Sequence, residues 1–249
     1  MRTIFLSLVF FISLFAYIPS LGPLIKLNSQ KNRSIQSFYA KSKIVLANDP
    51  SKEITEELWY SNKGILRSNL MHKDETLSVK ITRPDKSEIY GREVKVTEDL
   101  TPSFLPGVFL FSSLEFLTKL VQDMGIPLKV NMLNPQGEFV NFGFGTLLQY
   151  ASNLSDEKTP RIYFNSITKT LVGFRTSRND RTLIFLATAM TAIEGKVIYP
   201  STVEILNEEY KRIGTIQLIT ALANIPPPDQ IGTPPGKQES NFWLHDWLR

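Results

Sequence analysis

The feature that most constrains the fold is a long succession of short strand-like segments separated by turn residues. In the segment 76–82, Leu77, Val79 and Ile81 alternate with polar residues, which is the pattern of a strand with one buried face. Comparable segments cover 34–46, 53–60, 64–71, 87–97, 138–144, 146–151, 161–165, 170–177, 181–190, 196–206 and 211–223. Because consecutive strands joined by short turns pair antiparallel, we expect about ten or eleven strands in one strongly curved sheet.

Two of these segments predict which faces of the sheet are covered. Residues 53–60 and 64–71 flank the polar turn Asn62-Lys63-Gly64 and form the opening hairpin. Neighbouring strand residues point to opposite faces, so Trp59 and Tyr60 are predicted to lie on different sides of the sheet. In contrast, LIFLATAM at 183–190 is apolar at all but one position, which is typical of a strand covered on both faces.

An apolar segment interrupts the strands in the middle of the chain. Residues 101–113 contain two prolines and a glycine and suit neither a helix nor a paired strand. Ser112 and Glu115 have the spacing of a capping box, which predicts a helix that runs to about Met124 and ends at Gly125. The predicted fold class is α+β: an unclosed half-barrel covered by an N-terminal helix at 24–33 and a central apolar helical lid at 101–125.

Composition and the N-terminal residues indicate a compartment. The net charge of +4 is spread along the chain without a Lys/Arg-rich block, so nucleic acid is not an expected partner. An apolar run over 4–18 follows Met1-Arg2 and precedes small and turn-forming residues, which predicts a signal peptide at 1–22 and a periplasmic location. An uncleaved N-terminal anchor is the alternative. The chain has no cysteine, which excludes disulfides and an N-terminal lipid-modified cysteine.

The rest of the chain is predicted to form one domain with a short extension. We expect a single half-barrel domain over 23–230 and a Pro-rich tail over 231–249, whose tip FWLHDWL at 242–248 is aromatic. Residues Gly143-Phe144-Gly145 lack the third glycine of a dinucleotide-binding loop and are interpreted as a strand bend or bulge.

The sequence offers little equipment for catalysis or metal binding. There are only two histidines, which are isolated from each other, and no nucleophile elbow. The acidic pairs Glu56-Glu57, Asp156-Glu157 and Glu208-Glu209 are interpreted as solvated turns and edges. We therefore expect no metal, no cofactor and no enzymatic activity. The apolar residues of the central segment either complete a solid core or roof an apolar cavity, and the residues alone leave both open.

The hairpin at 58–67, LWYSNKGILR, resembles the tryptophan, glycine and arginine stretch of LolA-like proteins. The first strand at 35–40, the hairpin at 161–175 and the closing strands at 199–205 and 214–223 are similar to that family in the same order, and the apolar insertion occupies the place of its lid helices. The family includes the periplasmic carrier that takes lipoproteins to the outer membrane. The resemblance implies a half-barrel with helices plugging its open side and a cavity for acyl chains. Asn62 stands where the carrier has a functional arginine.

The resemblance implies a non-catalytic carrier-like protein that buries acyl chains of a lipoprotein or lipid. Export components of the inner or outer membrane are further expected partners, and a monomer is expected. In this interpretation Arg67 orients a polar ligand group or a lid carbonyl. The alternative is an interaction or sensor module of the same fold whose cavity is filled by its own side chains. The predicted ligand-binding residues of the cavity and lid are Trp59, Tyr60, Leu66, Arg67, Phe104, Val108, Phe109, Phe111, Leu114, Leu117 and Val121.

Overall fold

The computed structural model describes residues 18–31, 34–51, 53–73, 75–83, 86–90, 95–98, 114–128, 137–178, 181–195 and 197–236. Within these ranges, no helix has both the length and the apolar character needed to cross a membrane. All strands and helices below fall within these residues.

One antiparallel sheet contains every described strand. Its strands are β1 (Ser37–Leu46), β2 (Glu53–Ser61), β3 (Ile65–His72), β4 (Glu75–Thr82), β5 (Ser87–Tyr90), β6 (Lys95–Glu98), β7 (Gly137–Phe142), β8 (Gly145–Ala151), β9 (Arg161–Asn165), β10 (Leu171–Arg178), β11 (Arg181–Ile193), β12 (Val197–Leu206) and β13 (Arg212–Ala223). The predicted segments coincide with these strands to within a few residues. The expected number of ten or eleven strands was too low. The twelve predicted segments correspond to 13 strands within the described residues, because the segment at 87–97 holds two strands.

The strand order shows how the sheet is assembled. It runs β6-β5-β4-β3-β2-β1-β13-β12-β11-β10-β9-β8-β7. The sheet therefore consists of a first meander, β1 to β6, and a second meander, β7 to β13, which are joined where β1 pairs with β13. Within the described residues β6 and β7 are the two edges, and the sheet does not close on itself. The prediction of a single unclosed antiparallel sheet is confirmed. The segment Gly143-Phe144, interpreted as a strand bend, is instead the two-residue turn of the β7–β8 hairpin.

The alternation of side chains gives the sheet an inner and an outer face. The face of the sheet that packs against the two helices is called the inner face, and the opposite face is called the outer face. On β2 the buried Ile54, Leu58 and Tyr60 lie on the inner face, and the alternate residues, including Trp59, lie on the outer face beside Tyr39 with ring centroids 4.6 Å apart. Trp59 and Tyr60 therefore point to opposite faces, as predicted.

Strand β11 is buried on both faces along its first half. Leu183 and Phe185 belong to the inner core, whereas Ile184 and Leu186 belong to a second, smaller core on the outer face of this half of the sheet. The apolar run at 183–190 is explained by these two cores. The outer face of this half of the sheet is therefore partly covered by its own apolar core.

Two helices lie on the inner face. Helix α1 (Leu21–Lys31) and helix α2 (Leu114–Asp123) contact each other and contribute buried residues to one core with the sheet. Gly125 adopts a positive φ of 71° just after α2, and the backbone N–H of Ile126 donates to the carbonyl of Val121 at 3.0 Å. The predicted helix stop at Gly125-Ile126-Pro127 is explained by this left-handed residue.

Candidate ligand-binding face

The inner face carries one core cluster of buried apolar residues that spans both meanders. Four of the predicted ligand-binding residues are buried in it: Tyr60 and Leu66 on the sheet, and Leu117 and Val121 on α2. They belong to one core cluster with Leu24 and Ile25 of α1. The structure therefore brings together the two parts of the predicted site, the opening hairpin and the central helix.

The remaining predicted residues are placed differently. Leu114, the first residue of α2, leaves 42% of its surface exposed although it is apolar. Phe104, Val108, Phe109 and Phe111 lie outside the described residues. Leu114 is therefore exposed, whereas Leu117 and Val121 of the same helix are buried in the inner core.

Trp59 and Arg67 lie on the outer face, directly opposite each other in the β2–β3 ladder. The Arg67 guanidinium donates through Nη1 to the carbonyl oxygens of Gln230 at 3.1 Å and Thr233 at 2.7 Å. Arg67 thus contacts the C-terminal extension and not the inner face. We exclude Trp59 and Arg67 from the candidate ligand-binding face for this reason, although the sequence placed both of them in it.

The C-terminal extension packs along the outer face of the first meander. Arg83 donates to the carbonyl of Gly232 at 2.6 Å, Ile231 is buried, and a Cβ at Gly232 would stand 3.3 Å from Ile65. Two arginines therefore hold the backbone of residues 230–233 on the sheet. The acceptors in this contact are backbone carbonyls, which every residue type has, so the sequence does not indicate that residues 230–233 bind the sheet.

Replacing Arg67 by alanine should release this extension while the sheet stays folded. Loss of the two charge-assisted hydrogen bonds is worth about 1 kcal/mol at this partly exposed position, which is a roughly fivefold change in the open population. Thermolysin should then cut next to Ile231 about five times faster. Arg212→Ala removes a different outer-face arginine, one that is 3.7 Å from Glu204, and should leave the cleavage rate unchanged. Equal rates in both variants would show that Arg67 does not hold the extension.

A buried polar group interrupts the apolar inner face. Glu56 on β2 is fully buried, and its Oε1 accepts a hydrogen bond from the Ser68 hydroxyl at 2.6 Å. Burial, the dominant cause, raises the pKa of Glu56 to about 7 against the opposing effects of Ser68 and Lys80. Its Oε2 and the nearby Tyr199 hydroxyl have no hydrogen-bond partner. The inner face thus holds a carboxyl group that is half neutral near pH 7.

The interpretation of Glu56 as a solvated residue was wrong. Glu56 has the same strand parity as Ile54 and Leu58, so the alternation along β2 turns it inward. Glu57, next to it, faces outward and pairs with Lys41 at 3.2 Å. The other two acidic pairs, Asp156-Glu157 and Glu208-Glu209, lie in exposed turns as expected.

The two helices are attached to the sheet by different forces. On α1, Asn28 accepts from the backbone N–H of Leu171 at 2.8 Å and donates to the carbonyl of Lys169 at 2.9 Å, which ties the helix to the β9–β10 turn. Just before α1, the carbonyl of Pro19 accepts from the Tyr150 hydroxyl at 2.6 Å. The described side chains of α2 make no hydrogen bond to the sheet, and its buried residues are apolar. Helix α1 is therefore held by polar contacts in addition to its apolar packing, whereas the described side chains of α2 contribute apolar packing to the core.

An unclosed antiparallel sheet whose apolar inner face is covered by short helices defines a half-barrel class of protein. A putative outer membrane lipoprotein-sorting protein domain from Vibrio parahaemolyticus is similar to the chain with a TM-score of 0.51 at 8% sequence identity, over 84% of this chain and 95% of that one. A LolA superfamily protein from Nitrosomonas europaea is similar with a TM-score of 0.51 at 6% identity, over 86% of this chain and 98% of that one. No family model matches the sequence, and no curated protein matches it. The fold is LolA-like.

Proposed function

We propose that the protein binds acyl chains of a lipoprotein or lipid between the inner face of its sheet and helix α2. The observation that carries this proposal is the different attachment of the two helices. A helix whose described side chains contact the sheet by apolar packing can separate from an apolar face when acyl chains take its place, because one set of apolar contacts replaces another. Helix α1 would then stay on the sheet while α2 moves.

The proposed cycle consists of reversible burial without a covalent step. Each methylene moved from water to the inner face contributes about 0.8 kcal/mol, so a long acyl chain can compensate for the contacts that α2 gives up. The proposed role is non-catalytic, needs no cofactor, and is carried out by a monomer. Export components of the inner or outer membrane would deliver and accept the ligand.

We propose a periplasmic location with the signal peptide at the N-terminus. Leu21 is fully buried in the inner core, so cleavage after Gly22 would remove a core residue. We favour cleavage after Ser20, which keeps Leu21 and the Asn28 contacts of α1 but gives up the hydrogen bond from Tyr150 to the Pro19 carbonyl. The folded domain would then begin at Leu21. Its C-terminal boundary would extend beyond 230, because residues 230–233 are bound to the outer face.

Native mass spectrometry of the protein purified from a bacterial periplasm tests the proposal. We expect a bound species with the mass of a lipid or an acylated peptide, which lipid extraction removes. The stripped protein should take up a synthetic diacylated lipopeptide. An apo mass that stays unchanged after incubation with lipopeptide and phospholipid would contradict the proposal and favour the module with a side-chain-filled inner face.

Replacing Leu114 by aspartate should reduce lipopeptide binding about tenfold or more. Leu114 is the exposed apolar residue at the start of α2, and loss of one leucine contact with an acyl chain costs about 1.5–3 kcal/mol. An acidic residue at a helix N-terminus is favourable, so the substitution should not weaken α2 itself.

Gln122→Asp is the matched control, because Gln122 is an exposed residue near the other end of the same helix. A carboxylate there is unfavourable for the helix, yet it should change binding less than twofold. Equal losses in the two variants would mean that binding depends on the stability of α2 and not on a ligand contact at Leu114.

A further inference from the structure

Two buried arginines face each other on the outer face of the second meander, away from the candidate ligand-binding face. Arg175 on β10 lies directly opposite Arg161 on β9, so both side chains are on the same side of the sheet. Arg175 is 2% exposed and Arg161 is 5% exposed. Like charges at directly opposed positions repel, and charges removed from water require compensation.

The described residues around the pair supply little negative charge. Arg161 donates through Nη1 to Gln149 at 3.1 Å and through Nη2 to the carbonyls of Leu154 and Asp156 at 3.1 and 3.3 Å. Glu138 reaches this group only through the Gln149 amide. The Asp156 side chain is exposed, and among the described residues no carboxylate forms an ion pair with Arg161 or Arg175. The direct hydrogen-bond partners of Arg161 are therefore neutral, and the carboxylate of Asp156 acts on Arg161 only from an exposed position.

Several hydrogen-bond donors of this cluster are unused. Nε of Arg161, Nε of Arg175 and the hydroxyl of Tyr163 are buried and have no hydrogen-bond partner. Tyr163 lies on the same face two residues after Arg161, and its hydroxyl is close to the Arg175 guanidinium without a hydrogen bond of good geometry. Burial, the largest cause, raises the pKa of Tyr163, so its phenol keeps its proton and can donate.

From this arrangement we infer that Arg161, Arg175 and Tyr163 form a binding site for an oxyanion, a phosphate or carboxylate group. A bound oxyanion neutralises the two guanidiniums and accepts from the buried donors, since guanidinium groups match the geometry of phosphate and carboxylate oxygens. The loop at 152–160 closes the site from outside, because its carbonyls accept from Arg161 and the Lys158 carbonyl accepts from Ser177 at 3.1 Å. This site is on the opposite face of the sheet from the proposed acyl-chain site and does not depend on it.

Isothermal titration calorimetry of the full chain with inorganic phosphate, and separately with acetate, at constant ionic strength tests the inference. We expect saturable binding of at least one anion, and the two titrations distinguish a phosphate site from a carboxylate site. Tyr163→Phe keeps both arginines and removes one donor, so it should weaken binding about tenfold. Arg175→Met should abolish it, and Arg212→Met, which removes an exposed arginine, should leave it unchanged.

Two results would overturn the inference. The first is the absence of binding of both anions to the wild-type protein, a measurement that requires no variant to fold. The second is phosphate or acetate binding that Tyr163→Phe and Arg212→Met change equally, which would place the anion on the general positive surface of the protein.

Discussion

Replacing Glu56 by glutamine should raise the free energy of unfolding at pH 8 by about 3 kcal/mol. The Glu56 carboxyl is fully buried and its pKa in the folded protein is about 7, compared with 4.5 for an unperturbed glutamate. At pH 8 the wild-type protein must therefore keep a charged carboxylate in its core. Glutamine has the same shape, can accept from Ser68 as Glu56 does, and carries no charge.

The pH dependence follows from the direction of this shift. Between about pH 4.5 and 7 the folded state holds the Glu56 proton more tightly than the unfolded state. The contribution of Glu56 to the free energy of unfolding therefore falls as the pH rises through this range. Below pH 4.5 Glu56 is protonated in both the folded and the unfolded state, so folding does not bury a charged carboxylate. The stability difference between Glu56→Gln and wild type should thus be near zero at pH 4.5, grow through pH 7 and level off above it.

Urea unfolding of both proteins at pH 5 and pH 8 measures this difference. At pH 8 the midpoint temperature should also rise by roughly 6–12 °C for a chain of this size. Glu57→Gln is the matched control, because Glu57 is the next residue on β2 but faces outward, and it should change stability by less than about 0.5 kcal/mol. A Glu56→Gln protein that is no more stable than wild type at pH 8 would show that Glu56 is paired in the folded state.

Replacing Gly173 by alanine should destabilise the protein by about 3 kcal/mol or more. Gly173 lies on β10 at a register irregularity, directly opposite Leu186 on β11. A Cβ at this position would overlap the Phe185 carbonyl oxygen and approach Cδ2 of Leu186 to 2.7 Å. The overlap involves the backbone of a strand that is buried on both faces, so β11 cannot move away without breaking its own ladder.

Gly143→Ala provides the comparison, because a Cβ at Gly143 would meet no atom within 4 Å. Thermal unfolding should show a lower midpoint by about 6 °C or more for Gly173→Ala and little change for Gly143→Ala. If Gly173→Ala were as stable as wild type, the close approach of β10 and β11 at this point would not be required by the fold.

The sheet was predictable from the sequence, because its signal is local. The apolar run of β11 follows from the covering of both faces of that strand, and no distant residue changes that requirement. Alternation along β4 predicted a single buried face, and this was wrong: residues 78–82 are buried on both faces, and Ile81 lies opposite Arg67 on the outer face. Alternation along β2 places Glu56 inward. That position could have been predicted had the apolar neighbours Ile54 and Leu58 been weighed above the general preference of glutamate for solvent.

The site was less predictable, because its polar contacts join residues that are distant in sequence. Arg67 has the spacing of a family arginine, but its partners are backbone carbonyls near the C-terminus. Arg161 donates to carbonyls of a loop without an apolar pattern, and Arg175 lies opposite it on the next strand, so nothing local marks either as a core residue. Sequence periodicity identifies the face to which a side chain points, but not what lies over that face.

The pairing of β1 with β13 has a consequence for how the chain folds. Every other ladder joins neighbouring strands of one meander, so each meander can form soon after it is synthesised, whereas β1 waits for the last strand. In the interval β1 is an exposed edge that other chains could extend. Lys41 and Lys43 lie on this strand, and their pairs with Glu57 and Glu53 on the surface add little to final stability. Their charges discourage intermolecular pairing of β1 during that interval, a contribution that equilibrium stability does not measure.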